Sequence, residues 1–179
     1  QSPRVVVDPE AKLDLGGIAK GYVADELTTL LEKEGVTSAV INLGGNISTI
    51  GGKPDGSPFI IGIEKPYTDR TEIIGTTTAD NQTVVTSGIY ERQFQKDGKI
   101  YHHVLSSKTG YPVETQLEAV SLVAKKGRSM DIDAMSTICL MKGVDGGKAF
   151  IKKQKGVEAV FSAQGKEVAK TKGMKFTAE

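Results

Sequence analysis

The clearest hydrophobic period in the chain covers residues 18–34. Ile18, Tyr22, Leu27, Leu30 and Leu31 recur there at helical spacing, and Gly35 stands where a helix would stop. Upstream, residues 5–7 (Val-Val-Val) and 12–15 have the apolar character of strand ends running into Gly16-Gly17. Downstream the period shortens to two. Residues 39–43 read as a buried strand closing on Gly44-Gly45-Asn46. Residues 47–50, 59–64, 72–78 and 83–86 read as further strands, separated by Pro54-Asp55-Gly56 and Asp80-Asn81. Residues 92–95 and 99–104 flank Asp97-Gly98, a strong hairpin signal. Residues 117–124 alternate as a strand. A helix is predicted from Ser129 or Met130 to Met141 with Gly143 as its stop, and another over 145–155. Residues 157–162 and 166–169 then pair around Gln164-Gly165. Two or three helices among hairpin-linked strands predict an α+β fold with a mainly antiparallel or mixed sheet. The β/α alternation of a doubly wound sheet is missing.

No repeat or linker divides the sequence, so residues 1–179 are expected to form one domain with a sizeable core. With 23 basic against 22 acidic residues there is no nucleic-acid footprint and no acidic tail. No apolar run approaches the ~18 residues that span a bilayer, and the opening Gln1-Ser2-Pro3-Arg4 has no leader pattern. Cys139 is the single cysteine, which excludes an internal disulfide framework; its apolar neighbours Ile138 and Leu140 predict a buried, inert thiol.

Four segments could carry chemistry. In Leu13-Asp14-Leu15-Gly16-Gly17-Ile18-Ala19-Lys20-Gly21, a glycine pair opens a helix whose free N–H groups favour an anion, and Lys20 falls in its first turn. A tight turn with a surface lysine reads equally well, and the segment is neither a Walker loop nor a G-x-G-x-x-G fingerprint. Asn42-Leu43-Gly44-Gly45-Asn46 is either a close backbone approach to a ligand or a plain turn. Val85-Thr86-Ser87-Gly88, with Tyr90-Glu91-Arg92, lacks the G-x-S-x-G elbow of a serine hydrolase. The later His102 and His103 alternate on a strand, so only one can face a site. On the helix after Ser129, Asp133, Ser136 and Thr137 share one face, a set of oxygens suited to Mg²⁺. The competing reading is capping, with Ser129 or Asp131 opening the helix and Asp133 favouring its N-terminus.

Taken in order, these segments, together with Tyr101–Val104 and Thr109-Gly110-Tyr111-Pro112, resemble the ApbE family of FAD:protein FMN transferases. The resemblance implies a flavin site carried position by position. Asp14 and Lys20 match residues that contact FAD, and Leu105 matches one that meets the flavin through its backbone. Gly17 matches a residue whose carbonyl binds the metal, and Asp133, Ser136 and Thr137 match the helical metal-binding motif. His103 matches the catalytic histidine. After Leu105 the chain has Ser106-Ser107 where the family commonly carries Asp-Pro.

The implied activity is Mg²⁺-dependent transfer of FMN from FAD to a Ser or Thr hydroxyl of an acceptor protein, releasing AMP. An FAD pyrophosphatase giving FMN and AMP, or a non-catalytic flavin-binding module, would use the same residues. The resemblance further implies an upstream segment that this chain lacks, and a periplasmic or cell-surface protein anchored as a lipoprotein.

Overall fold

The computed structural model describes residues 4–69 and 71–179. Its elements are α1 (Ala19–Lys33), β1 (Ala39–Asn42), β2 (Asn46–Ile50), β3 (Phe59–Glu64), β4 (Ile73–Ala79), β5 (Gln82–Gly88), β6 (Gln93–Lys96), β7 (Lys99–His102), β8 (Ala119–Lys125), α2 (Ser129–Ile151), β9 (Val157–Ala163), β10 (Lys166–Lys170) and β11 (Thr177–Ala178). The fold is α+β. Six strands form one antiparallel sheet in the order β1-β2-β5-β8-β9-β10. A second sheet runs β11-β4-β3, and β6-β7 make a separate hairpin.

The large sheet is covered on both faces, which is why its central strands are buried at almost every position. Alternate residues serve opposite cores. Val85, Leu122, Ala159 and Phe161 point toward α2 and pack with Ile132, Cys139, Leu140 and Ile151. Val84, Val123 and Val160 point the other way, onto Ile61, Ile63 and Ile74 of the smaller sheet. At ~0.8 kcal/mol per buried CH₂, this double layer is the main source of stability. Cys139 is enclosed in the first core, and burial pushes its thiol up to about 12, so it is inert as the sequence predicts.

Several expectations change. Residues 5–7 and 12–15 form no strand; Val6 is 94% exposed and Leu13 67%. No described strand lies beside them to complete a ladder, and apolar character without a partner does not make a strand. The two helices predicted after Ser129 run on as α2, interrupted at Gly143, whose φ of 68° breaks the helical path where a stop was predicted. The short β11, which pairs with β4, was not legible. The largest correction concerns α1. Its apolar stripe is not its buried face: Tyr22 and Leu30 are each more than half exposed, while Gly21, Ala24 and Thr28 are buried.

Candidate functional site

The small-residue face of α1 exists because α1 crosses α2 backbone to backbone. A side chain added at Gly21 would place its Cβ 2.5 Å from Met130 Cα and 2.5 Å from the Ser129 carbonyl oxygen. Only glycine fits there. At this contact each helix caps the other. The Gly21 N–H, an orphan donor in the first turn of α1, donates to Asp133 Oδ2 at 2.9 Å. The Ser129 and Met130 N–H groups, orphans at the start of α2, donate to the two carboxylate oxygens of Asp25, each at 3.0 Å. The predicted capping of α2 by its own Ser129 or Asp131 is therefore corrected. No side chain of α2 caps it; Asp131 instead pairs with Arg128 at 3.3 Å.

Asp133 is 3% exposed, and burial pushes its carboxyl above the ordinary range. The Gly21 N–H, Lys20 and the Asn46 side chain draw it partly back, while Glu91 adds repulsion. Asn46 is wholly buried. Its Oδ1 accepts from Ser129 Oγ at 2.6 Å, and its Nδ2 makes no direct hydrogen bond among the described residues. One helical turn beyond Asp133, Thr137 is half-buried, and its hydroxyl is free among the described residues. Ser136 is already engaged, donating to the Asp133 carbonyl at 2.7 Å and sharing a 2.6 Å hydrogen bond with Ser87 Oγ.

Gly44 and Gly45 turn the chain between β1 and β2 at φ of 66° and 88°, values that favour glycine. The turn offers its Gly44 carbonyl to Lys20 Nζ at 3.1 Å. The same ammonium lies 3.9 Å from Glu91 Oε2. Lys20 thus sits close to two carboxylates, Asp133 and Glu91, and Glu91 lines a cleft of about 220 Å³. Gly45, Thr86, Tyr90 and Glu91 line one side of that cleft; Ile61 and Ile73 of the small sheet line the other.

His102 and His103 face opposite ways, as the strand period requires. His102 is buried with Nε2 3.2 Å from the Val113 carbonyl, and burial lowers its proton affinity. His103 is exposed, and both its backbone N–H (3.1 Å) and its Nδ1 (3.2 Å) meet the Arg92 carbonyl. A carbonyl only accepts, so Nδ1 carries a proton and Nε2 is turned away from that contact. Arg92 follows Glu91, so His103 is tethered one residue from the partner of Lys20. In the loop beyond, Leu105 is exposed and bridges to Pro112. Ser106 shapes that turn, its Oγ accepting from the Lys108 N–H at 3.3 Å. Asp14 is exposed and accepts only from the nearby Gly16 N–H among the described residues, at 2.6 Å.

The structure brings Lys20, Gly21, Gly44 and Asp133 together, with Thr137 on the same helix and Gly17 one turn before Gly21. It leaves Asp14 and Leu105 on exposed segments outside that contact. Asp25, Asn46 and Glu91 carry no role that their sequence context announces. Glu91 and Asn46 stood inside segments already singled out, whereas Asp25 had no local signal at all.

No three His, Cys, Asp or Glu side chains cluster among the described residues. A cation here would meet one carboxylate and otherwise neutral oxygens, the donor set of Mg²⁺ completing its shell with water or phosphate. The buried Asp133 and the free Thr137 hydroxyl fit that group. No described helix is long and apolar enough to cross a membrane.

A model of the ApbE family matches residues 3–161. The FAD:protein FMN transferase of Klebsiella pneumoniae (strain 342) is 39% identical over 160 residues, covering 89% of this chain and 48% of that protein. The protein of the same name from Treponema pallidum (strain Nichols) is 36% identical over 171 residues, covering 91% and 47%. Among solved structures, the ApbE protein of Thermotoga maritima superposes with a TM-score of 0.73 at 30% identity, covering 94% of this chain and 51% of that one. The flavinyl transferase ApbE of Pseudomonas stutzeri, in its apo form, gives 0.69 at 32% identity, covering 94% and 49%. The chain spans about half the length of the curated relatives it matches.

Proposed function

The chain belongs to the ApbE family, and from that membership we propose that it forms the phosphate- and cation-binding part of an enzyme that transfers FMN from FAD to a Ser or Thr hydroxyl of an acceptor protein. The observation that carries this reading is the α1–α2 junction. There a buried carboxylate and a lysine meet at a helix N-terminus, and Glu91 links that lysine to the neighbouring cleft.

Asp133, Thr137 and the Gly17 carbonyl would hold Mg²⁺, with Ser136 behind them bracing the helix against Ser87. Bound there, the ion would offset charge developing at the bridging oxygen of the FAD pyrophosphate. Lys20 would exchange the Gly44 carbonyl and Glu91 for phosphate oxygens, and the start of α1 would add its unpaired N–H groups. Asp14 and Leu105 would contact the flavin nucleotide from their exposed segments. His103 Nε2 is the base: it takes the proton of the acceptor hydroxyl as that oxygen bonds to the FMN-side phosphorus. The pyrophosphate P–O bond then breaks and AMP leaves. Export and lipid anchoring at the periplasmic or cell surface remain part of the proposal for the parent protein.

The test incubates the chain with FAD, Mg²⁺ and an acceptor protein, reading covalent flavin by mass spectrometry and AMP by chromatography. Covalent flavin with equimolar AMP is expected. FMN and AMP without covalent flavin would make water the acceptor and the protein a pyrophosphatase. FAD binding without AMP would make it a flavin-binding module.

A further inference from the structure

Strands β6 and β7 pair with each other in a sheet of their own. An isolated two-stranded hairpin is marginal in water, and this one leaves every residue of β6 exposed. Its register sets Phe94 opposite Tyr101 and Lys96 opposite Lys99. The pairing runs one step past β7, where the His103 N–H donates to the Arg92 carbonyl at 3.1 Å. Opposed residues share a face and the side-chain period is two. The pairs His103–Arg92, Tyr101–Phe94 and Lys99–Lys96 therefore succeed one another along one side of the hairpin. His102, on the other side, is buried against the Val113 carbonyl.

A stacked aromatic pair helps to hold a hairpin, but this one is not covered. The Phe94 and Tyr101 rings lie 5.2 Å apart with planes 7° from parallel, and Phe94 is 62% exposed. Lys96 and Lys99 are like charges set directly opposite, which weakens a strand pair. Neither lysine, nor Arg92, forms an ion pair among the described residues. Asp97 in the turn pairs with neither lysine, and Glu91 is engaged by Lys20. The face is thus positive at one end, apolar in the middle, and bounded by Arg92 and His103 at the other.

We propose that this face docks the acceptor protein, selecting an extended segment with an acidic and an apolar side chain beside the reactive hydroxyl. The acid meets Lys96 and Lys99, the apolar side chain covers Phe94 and Tyr101, and the Ser or Thr reaches His103. Successive pairs on one face lie ~7 Å apart, so the acid stands ~13 Å from the hydroxyl with the apolar group between them. Alternate residues of an extended segment have that spacing. Continuity with His103 favours a protein segment over a membrane surface as the occupant. The inference rests on the reading of His103 as the base for a protein hydroxyl.

The probes are synthetic peptides with glutamate, leucine and threonine at alternate positions, made in both sequence directions, and the same peptides with lysine for glutamate. Fluorescence anisotropy on the full chain without FAD gives binding; covalent flavin with FAD and Mg²⁺ present gives KM and kcat. A glutamate peptide is expected to bind, more weakly as salt rises, and its lysine counterpart about tenfold more weakly. Lys96→Glu combined with Lys99→Glu should invert that preference, weakening the glutamate peptide about tenfold and recovering the lysine peptide. KM should follow binding while kcat stays unchanged. Phe94→Ala should weaken both peptides about tenfold, as loss of an aromatic anchor does. A hairpin with a structural role alone would lower the melting temperature and weaken both peptides alike, without inversion.

Wild type that binds no glutamate peptide, or binds both charges equally, overturns the assignment. A preference that the double lysine variant leaves in place does the same. Sedimentation with phosphatidylserine vesicles, lost in that variant while peptide affinity is unmoved, would make the face a membrane contact instead. Because the charge comparison is also made on the unsubstituted chain, it decides even where a variant fails to fold. Inverted binding without covalent flavin upholds the docking surface and counts against the transfer chemistry alone. Covalent flavin whose KM ignores peptide charge upholds the chemistry and overturns the surface.

Discussion

Replacing Gly21 by alanine is the sharpest test of the helix junction, because helix propensity and packing predict opposite signs. On propensity, alanine in the first turn of α1 should stabilise the chain by ~1 kcal/mol over glycine. Packing opposes it. The new methyl would lie 2.5 Å from Met130 Cα and from the Ser129 carbonyl, and backbone atoms cannot rotate away as a flexible side chain could. Such overpacking costs ~1–3 kcal/mol. Forcing the helices apart also lengthens the Gly21–Asp133 hydrogen bond, whose charged acceptor makes it worth ~1.5–3 kcal/mol. The net is a destabilisation of about 2–4 kcal/mol. At ~2–4 °C per kcal/mol for a chain of this size, melting should fall by roughly 5–15 °C. The control is Gly17→Ala, where the added methyl meets nothing within 4 Å; its melting temperature should stay within a degree or two of wild type. Calorimetry on the metal-free chain measures both. Gly21→Ala melting at or above wild type would refute the close crossing and the reciprocal capping built on it.

Asp133→Asn keeps the acceptor for Gly21 and removes the buried charge. The raised affinity of Asp133 for its proton means it favours folding below the unfolded carboxylate value of ~3.9, and that contribution is lost as pH rises through the folded value. Without metal at neutral pH the variant should thus melt no lower than wild type, and Mg²⁺ should raise the melting temperature of wild type only. His103→Ala should leave melting unchanged and lower flavin transfer by about 10²–10⁴-fold while sparing FAD binding. His102 behaves oppositely. Burial lowers its folded proton affinity, so its share of stability is present above ~6.5 and is lost as pH falls through the folded value. His102→Gln should flatten that acid-side loss in a pH series of melts. Asp25→Ala should cost about 1–2 kcal/mol by uncapping α2, and Asp25→Asn, which keeps one of the two acceptor oxygens and sets a donor against the other N–H, should recover only part of that loss, read by urea denaturation.

How far the sequence revealed this molecule depended on whether a signal was local. Asp97-Gly98 and Gln164-Gly165 turn with positive φ where hairpins were expected, because turn chemistry is written in two adjacent residues. The oxygens on one face of α2 were legible from helical spacing. The docking of α1 was not. A hydrophobic pattern assumes that large apolar residues face inward, and α1 buries Gly21, Ala24 and Thr28 because a backbone contact leaves no room for more. Asp25 reads locally as an ordinary helix-surface carboxylate; its partners lie 104 and 105 residues away, where no spacing rule reaches. The reading of residues 5–7 failed for the complementary reason, since a strand requires a neighbour that its own residues cannot announce.

The reciprocal capping also sets a timetable. Gly21 and Asp133 are separated by 112 residues, and Asp25 and Ser129 by 104, so closing the junction requires one of the longest loops the chain can form. Contacts that distant are made late in folding. On the ribosome, the lysine and glycines of α1 emerge long before α2 exists to receive them. Until α2 is made, Gly21 has no carboxylate to bond and α2's capping partner Asp25 waits without its helix. Between the emergence of α1 and that of α2, each helix end stands without the carboxylate that will cap it. Both caps form together, when the two helices meet.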